Sequence, residues 1–112
     1  MCLFCKIVAK QIPAKILFED SDLLAFHDIN PAAPTHVLVI PKEHLTSLAD
    51  GTPDHVTLFG KLMLAAARAA ALTGVAESGY RVVANTGPNA GQSVFHLHVH
   101  MLGGRALAWP PG

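Results

Sequence analysis

Apolar and polar residues recur along this chain with periods that assign most of it to regular structure. Residues Leu3 to Lys10 carry a weak helical pattern that ends before Pro13. Lys15 to Glu19 and Leu23 to Asp28 are short strand candidates, and Asp20-Ser21-Asp22 between them reads as a hairpin turn. His36-Val37-Leu38-Val39-Ile40-Pro41 is β-branched and apolar, the strongest strand pattern here, and follows the rigid Pro31-Ala32-Ala33-Pro34. A long helix is predicted after Thr52 as N-cap, with Pro53 at its start and Asp54 in its first turn. Val56, Phe59, Leu62, Met63 and Ala66 recur at helical spacing through an alanine-rich run to Thr73, and Gly74 is a natural stop. Tyr80 to Asn85 and Val94 to Leu102 complete five strands. One long and one short helix, with the long one between strands three and four, predict an α+β fold on a mostly antiparallel five-stranded sheet. No linker or repeat divides the chain, so residues 1–112 are read as one domain.

Composition narrows the function classes. Half of the 112 residues are apolar, and the eight basic side chains balance the eight acidic ones. That excludes a broad basic nucleic-acid surface, an acidic tail and a disordered chain. An anionic ligand would need local donors rather than net charge. The N-terminus lacks the layout of a signal peptide, and the longest apolar stretch lies inside an amphipathic pattern. The expected location is therefore cytoplasmic, with Cys2 and Cys5 reduced.

The candidate chemistry is concentrated in His96-Leu97-His98-Val99-His100. On a strand these three imidazoles project to one face, about 6.5 Å apart, while Leu97, Val99 and Met101 face a core. Titratable rings on one face are costly to bury unless they ligate, catalyse or find partners. Alternate histidines suit a catalytic metal with an open position; equally, the middle ring suits a nucleophile whose neighbours orient it and bind an anion. The preceding Gly91-Gln92-Ser93 offers backbone N–H groups and a hydroxyl to a phosphate. Neither a P-loop nor a dinucleotide-binding fingerprint occurs.

The run Gly91-Gln92-Ser93-Val94-Phe95-His96-Leu97-His98-Val99-His100-Met101-Leu102 resembles the signature of the histidine triad (HIT) superfamily. The ending Gly103-Gly104-Arg105 … Trp109-Pro110-Pro111-Gly112 resembles its nucleotide-binding Hint branch. So do Ile12-Pro13-Ala14-Lys15, Ala25-Phe26-His27-Asp28-Ile29 and Pro34 to Lys42. The resemblance implies a homodimer whose sheets join, and hydrolysis of purine nucleoside phosphoramidates to an amine and a nucleoside monophosphate. It makes His98 the nucleophile, attacking phosphorus to form a nucleotidyl-histidine that water cleaves. His100 and Ser93 donate to the phosphate oxygens, and His36 lies behind them as a proton relay or tautomer anchor. Asp28 contacts the ribose hydroxyls, as Asn85 does ribose or phosphate. Phe26, Ile29 and Leu38 wall the purine slot, and Gly91 and Gln92 belong to the phosphate loop. Trp109 reaches towards the partner subunit's site.

Cys2-Leu3-Phe4-Cys5 suggests a second site, because a Cys-x-x-Cys pair suits tetrahedral zinc when two further ligands converge. Similarity to bacterial HIT proteins supplies them as His44 and His96, giving a closed structural zinc that takes no part in the chemistry. Three other functions remain open: a dinucleoside polyphosphate hydrolase, a nucleotide-binding or scaffolding protein, and a hydrolase with its metal on the triad. Chelation separates the last, since it would abolish a triad-metal enzyme but only erode the stability of the others.

Overall fold

The computed structural model describes residues 2–112; Met1 lies outside them. Five strands, β1 (Ile16–Glu19), β2 (Leu23–His27), β3 (Thr35–Pro41), β4 (Tyr80–Val83) and β5 (Val99–Gly103), form one sheet in the order β1-β2-β3-β5-β4. All four pairings are antiparallel, and the short links from β1 to β2 and from β2 to β3 fit this. The helices are α1 (Leu3–Val8) and α2 (Val56–Leu72), the latter between β3 and β4 as its spacing predicts.

Strand alternation gives the sheet two faces with different work. Leu23, Ala25, Val37, Val39, Val99 and Met101 point towards α2 and pack on its Leu62, Ala65, Ala66, Ala69 and Ala70. The small side chains of that helix face let it lie close to the strands. Leu24, Phe26, Leu38 and Ile40 point the other way, against Phe4 and Ile7 of α1. Both faces of β2 and β3 are thus covered, which is why they read as continuous apolar runs. By length and composition Pro53–Leu72 is apolar enough to cross a membrane, but this helix lays one side on the sheet.

Three boundaries depart from the pattern. The long helix begins as a 3-10 turn, Pro53–His55; the Thr52 hydroxyl accepts from the Asp54 N–H, and His55 Nδ1 accepts from the Thr52 N–H. β4 ends at Val83, two residues earlier than its alternation suggests. β5 begins at Val99, where Val94 was expected. Its ladder partner β3 ends at Pro41, which lacks an N–H, and the Leu97 N–H turns instead to the Leu45 carbonyl at 2.6 Å. At the other end of β5 a Cβ on Gly103 would lie 2.9 Å from Val75, so only glycine admits this close crossing of the chain beyond α2.

Candidate active site

The register of β3 and β5 sets Leu38 opposite His100 and His36 opposite Leu102. His36, Leu38 and His100 therefore share the sheet face that looks towards α1. A cleft of about 390 Å3 opens there, lined by Leu3, Phe4 and Ile7 of α1, Phe26 and Asp28 of β2 and its exit, and Leu38, Ser93, His98 and His100. That size suits a small organic ligand.

Hydrogen-bond partners fix the proton on each ring. The Ala32 N–H can only donate, and it lies 3.0 Å from His36 Nδ1. His36 thus carries its hydrogen on Nε2, from which it donates to His100 Nδ1 at 2.8 Å. His100 in turn is protonated on Nε2, a buried donor with no partner among the described residues. Because His100 lines the cleft, that donor is placed to meet an acceptor there. His98 is set the opposite way. Its Nδ1–H donates to the His96 carbonyl at 2.7 Å, so Nε2 keeps its lone pair. The His98 and His100 rings meet with centroids 4.9 Å apart. A nitrogen lone pair on one ring thus neighbours a preset hydrogen-bond donor on the next.

Burial keeps the relay neutral. It pushes His100 down from 6.5 to about 4, helped by the neighbouring His98 and His36 and opposed by Asp28. It also lowers His36, against the carboxylate of Asp28, whose Oδ2 lies 3.5 Å from His36 Nε2. Asp28, His36 and His100 lie close enough to hold a cation. Yet a metal on His36 Nε2 would displace its hydrogen while Nδ1 still accepts from Ala32, leaving an imidazolate. The hydrogen-bond pattern of this cluster fits a chain of neutral rings and opposes a metal on His36.

Of the residues singled out beforehand, Phe26, Asp28, Ile29, Leu38, Ser93, His98 and His100 line the cleft, and His36 lies behind it. Ile29 sits at the rim, 88% exposed. The loop differs from expectation. The Gly91 and Gln92 N–H groups close a turn onto Pro88 and Gly87, and the Gln92 amide holds Gly87, Thr46 and Val94. These donors brace the loop, and Ser93 is what it presents to the cleft. Asn85 and Trp109 are not among the lining residues, and Trp109 is 81% exposed. What the pattern did not mark is Phe4, whose ring meets His98 edge-on at 5.1 Å.

His96 departs from the other two histidines. Lying before β5, it is fully buried and turns its ring to Cys2, Cys5 and His44. Its Nε2–H donates to the Pro41 carbonyl at 2.8 Å, leaving Nδ1 as the ligating nitrogen. The four sulfur–nitrogen distances run from 3.3 to 3.6 Å, and the two Nδ1 atoms are 3.1 Å apart. Bonds of about 2.3 Å to sulfur and 2.05 Å to nitrogen give tetrahedral edges of about 3.6 and 3.3 Å. The donor set therefore fits a closed zinc site, and neither thiol is in a disulfide.

A family profile described as the HIT domain matches residues 9–107. A HIT-like protein of Synechococcus elongatus is 53% identical over 110 residues, covering 98% of this chain and 96% of that protein. The 14 kDa zinc-binding protein of Zea mays is 51% identical over 112 residues, covering 98% and 87%. The crystal structure of a HIT family hydrolase from Legionella pneumophila superposes with a TM-score of 0.97 at 47% identity, each chain covered completely. With the profile, the sequence relatives and the superposition agreeing over nearly its whole length, this chain belongs to the HIT family.

Proposed function

We propose that the protein is a nucleotide-binding hydrolase that cleaves the P–N bond of purine nucleoside phosphoramidates through His98. The observation that carries this reading is the opposed tautomers of His98 and His100: a lone pair at one nitrogen, and an unpartnered N–H at the next ring. Attack by His98 Nε2 on phosphorus forms a P–N bond to the imidazole and breaks the bond to the amine, which takes up one proton from solvent as it leaves. Water then attacks the same phosphorus and returns one proton to solvent, and the imidazole departs as the nucleoside monophosphate is released. His100 Nε2–H and the Ser93 hydroxyl serve the phosphate oxygens, where fixed donors are worth most because they need not reorganise. A neutral relay suits this role, since His36 holds the His100 hydrogen on the cleft side without adding charge. Asp28 takes the ribose hydroxyls, with the purine between Phe26, Leu38 and Ile29.

Zinc at Cys2, Cys5, His44 and His96 supplies stability and takes no part in phosphoryl transfer. Support comes from the tetrahedral spacing and from the zinc-binding name of the maize relative. The homodimer implied by the family resemblance has a candidate surface on α2, where Val56, Met63 and Leu64 are exposed. Trp109 would then serve the partner's cleft.

The test is single-turnover hydrolysis of an adenosine phosphoramidate in EDTA, followed by intact mass. We expect an AMP adduct on the wild-type protein, no adduct on His98→Ala, and a rate loss of at least about a thousandfold. Turnover by His98→Ala within tenfold of the wild type overturns the mechanism.

A further inference from the structure

The metal cluster and the nucleophile are built from the same few residues. His96 places its ring among the cysteines, while its carbonyl accepts the His98 Nδ1–H at 2.7 Å. Phe4 lies between the two cysteines in sequence, and its ring packs edge-on against both His98 (5.1 Å) and His96 (5.9 Å). We infer that metal binding at Cys2, Cys5, His44 and His96 positions His98, through the His96 carbonyl and the Phe4 ring, and so tightens nucleotide binding. The inference rests on the nucleotide reading above.

The physical reason lies in α1. A helix of six residues does not hold itself in water, where isolated helices need about 12–15 residues to be even marginal. The Cys2 sulfur caps it by accepting the Cys5 N–H at 3.2 Å, and Phe4 and Ile7 anchor its buried side. Residues from the same turn and a half line the cleft. A metal that ties both cysteines to His44 and His96 therefore fixes one cleft wall and the ring against the nucleophile together. Emptying the cluster frees the helix start, withdraws the edge contact from His98 and loosens the His96 segment whose carbonyl sets its tautomer. Coupling of this kind is reciprocal: whatever factor the metal adds to nucleotide affinity, the nucleotide adds to metal affinity.

The experiment compares Zn2+-loaded with chelator-stripped protein, using AMP as the nucleotide. Calorimetry should show AMP binding about tenfold more weakly to the stripped form, within the usual span of such couplings. AMP should slow zinc loss to a chromophoric chelator and raise zinc affinity by the same factor. In ligand-free protein labelled at histidine nitrogens, the His98 Nδ1–H should be sharp with zinc and broadened by exchange without it. Phe4→Leu should keep the metal and lose most of the coupling; an unchanged coupling in that variant removes Phe4 from the route. Should stripping unfold the protein, His44→Ala, which deletes an exposed ligand, replaces it in the same comparison. Equal AMP affinity and an identical His98 signal with and without metal overturn the inference. If AMP binds neither form, the nucleotide reading falls, and the His98 signal alone still decides whether the metal positions the ring.

Discussion

Acid should destabilise this protein through its buried rings, and most through His100, which burial shifts to about 4. Burial holds that ring at about 4 against an ordinary 6.5, so the unfolded chain takes up a proton in that window and the folded chain does not. Stability is therefore fully present above the unfolded value and is lost as pH falls below it, levelling off only near the folded value. At about 1.4 kcal/mol per pH unit, the loss between about pH 7 and pH 5 approaches 2 kcal/mol. Water reaching the open cleft weakens this, and about 1–2 kcal/mol is the working figure. For a chain of this size that corresponds to a fall in Tm of about 4–8 °C. The assay is a set of thermal melts across this range on the wild type and on His100→Gln, which titrates nothing at that position. Any release in acid of a metal held by Cys2, Cys5, His44 and His96 would be shared by the two proteins, so the difference between their pH slopes isolates the ring. Identical slopes would refute the argument that burial holds His100 below its ordinary value.

Three further outcomes follow from separate parts of the molecule. Gly103→Ala should cost about 1–3 kcal/mol in chemical denaturation, because its Cβ would meet Val75 at 2.9 Å. His36→Ala should lower both stability, by about 1–3 kcal/mol for the buried groups left unpaired, and turnover, since His100 loses the donor that sets its tautomer; unchanged kcat would remove His36 from the relay. EDTA should lower the Tm of the wild type and leave that of a Cys2→Ser, Cys5→Ser double variant unchanged, as read by scanning calorimetry.

The sheet and both helices are legible in the sequence because their signals are strong and local. Val37, Val39 and Ile40 favour a strand on their own account, and the alanine-rich run after Pro53 has no rival reading. The end of β5 that carries His96 is different. Alternation continues from Val94 through Leu102, yet the strand starts at Val99, since what removes the earlier residues is non-local: Pro41 ends the partner ladder, and Leu45 claims the Leu97 N–H. His96, His98 and His100 share one spacing but have two destinations for the same reason. The resemblance separated them where periodicity could not. The loop's composition does not reveal that the carbonyls of Gly87 and Pro88 take the N–H groups of Gly91 and Gln92. Phe4 carries no signal in the sequence, being one apolar residue in a short helix whose importance comes only from what it touches.

The polarity of the histidine relay is written in the main chain. Nothing about the methyl group of Ala32 matters to it; the course of the loop between Pro31 and Pro34 delivers an N–H to His36, and from that one hydrogen the direction of the next two follows. Any L-residue that tolerates this backbone can stand at position 32, with the single exception of proline, which has no hydrogen to give. The choice of donor over acceptor at the cleft is thus indifferent to side-chain identity there. Substitution scans of position 32 should be silent until they reach proline, which would let both rings turn over and face the cleft with a lone pair.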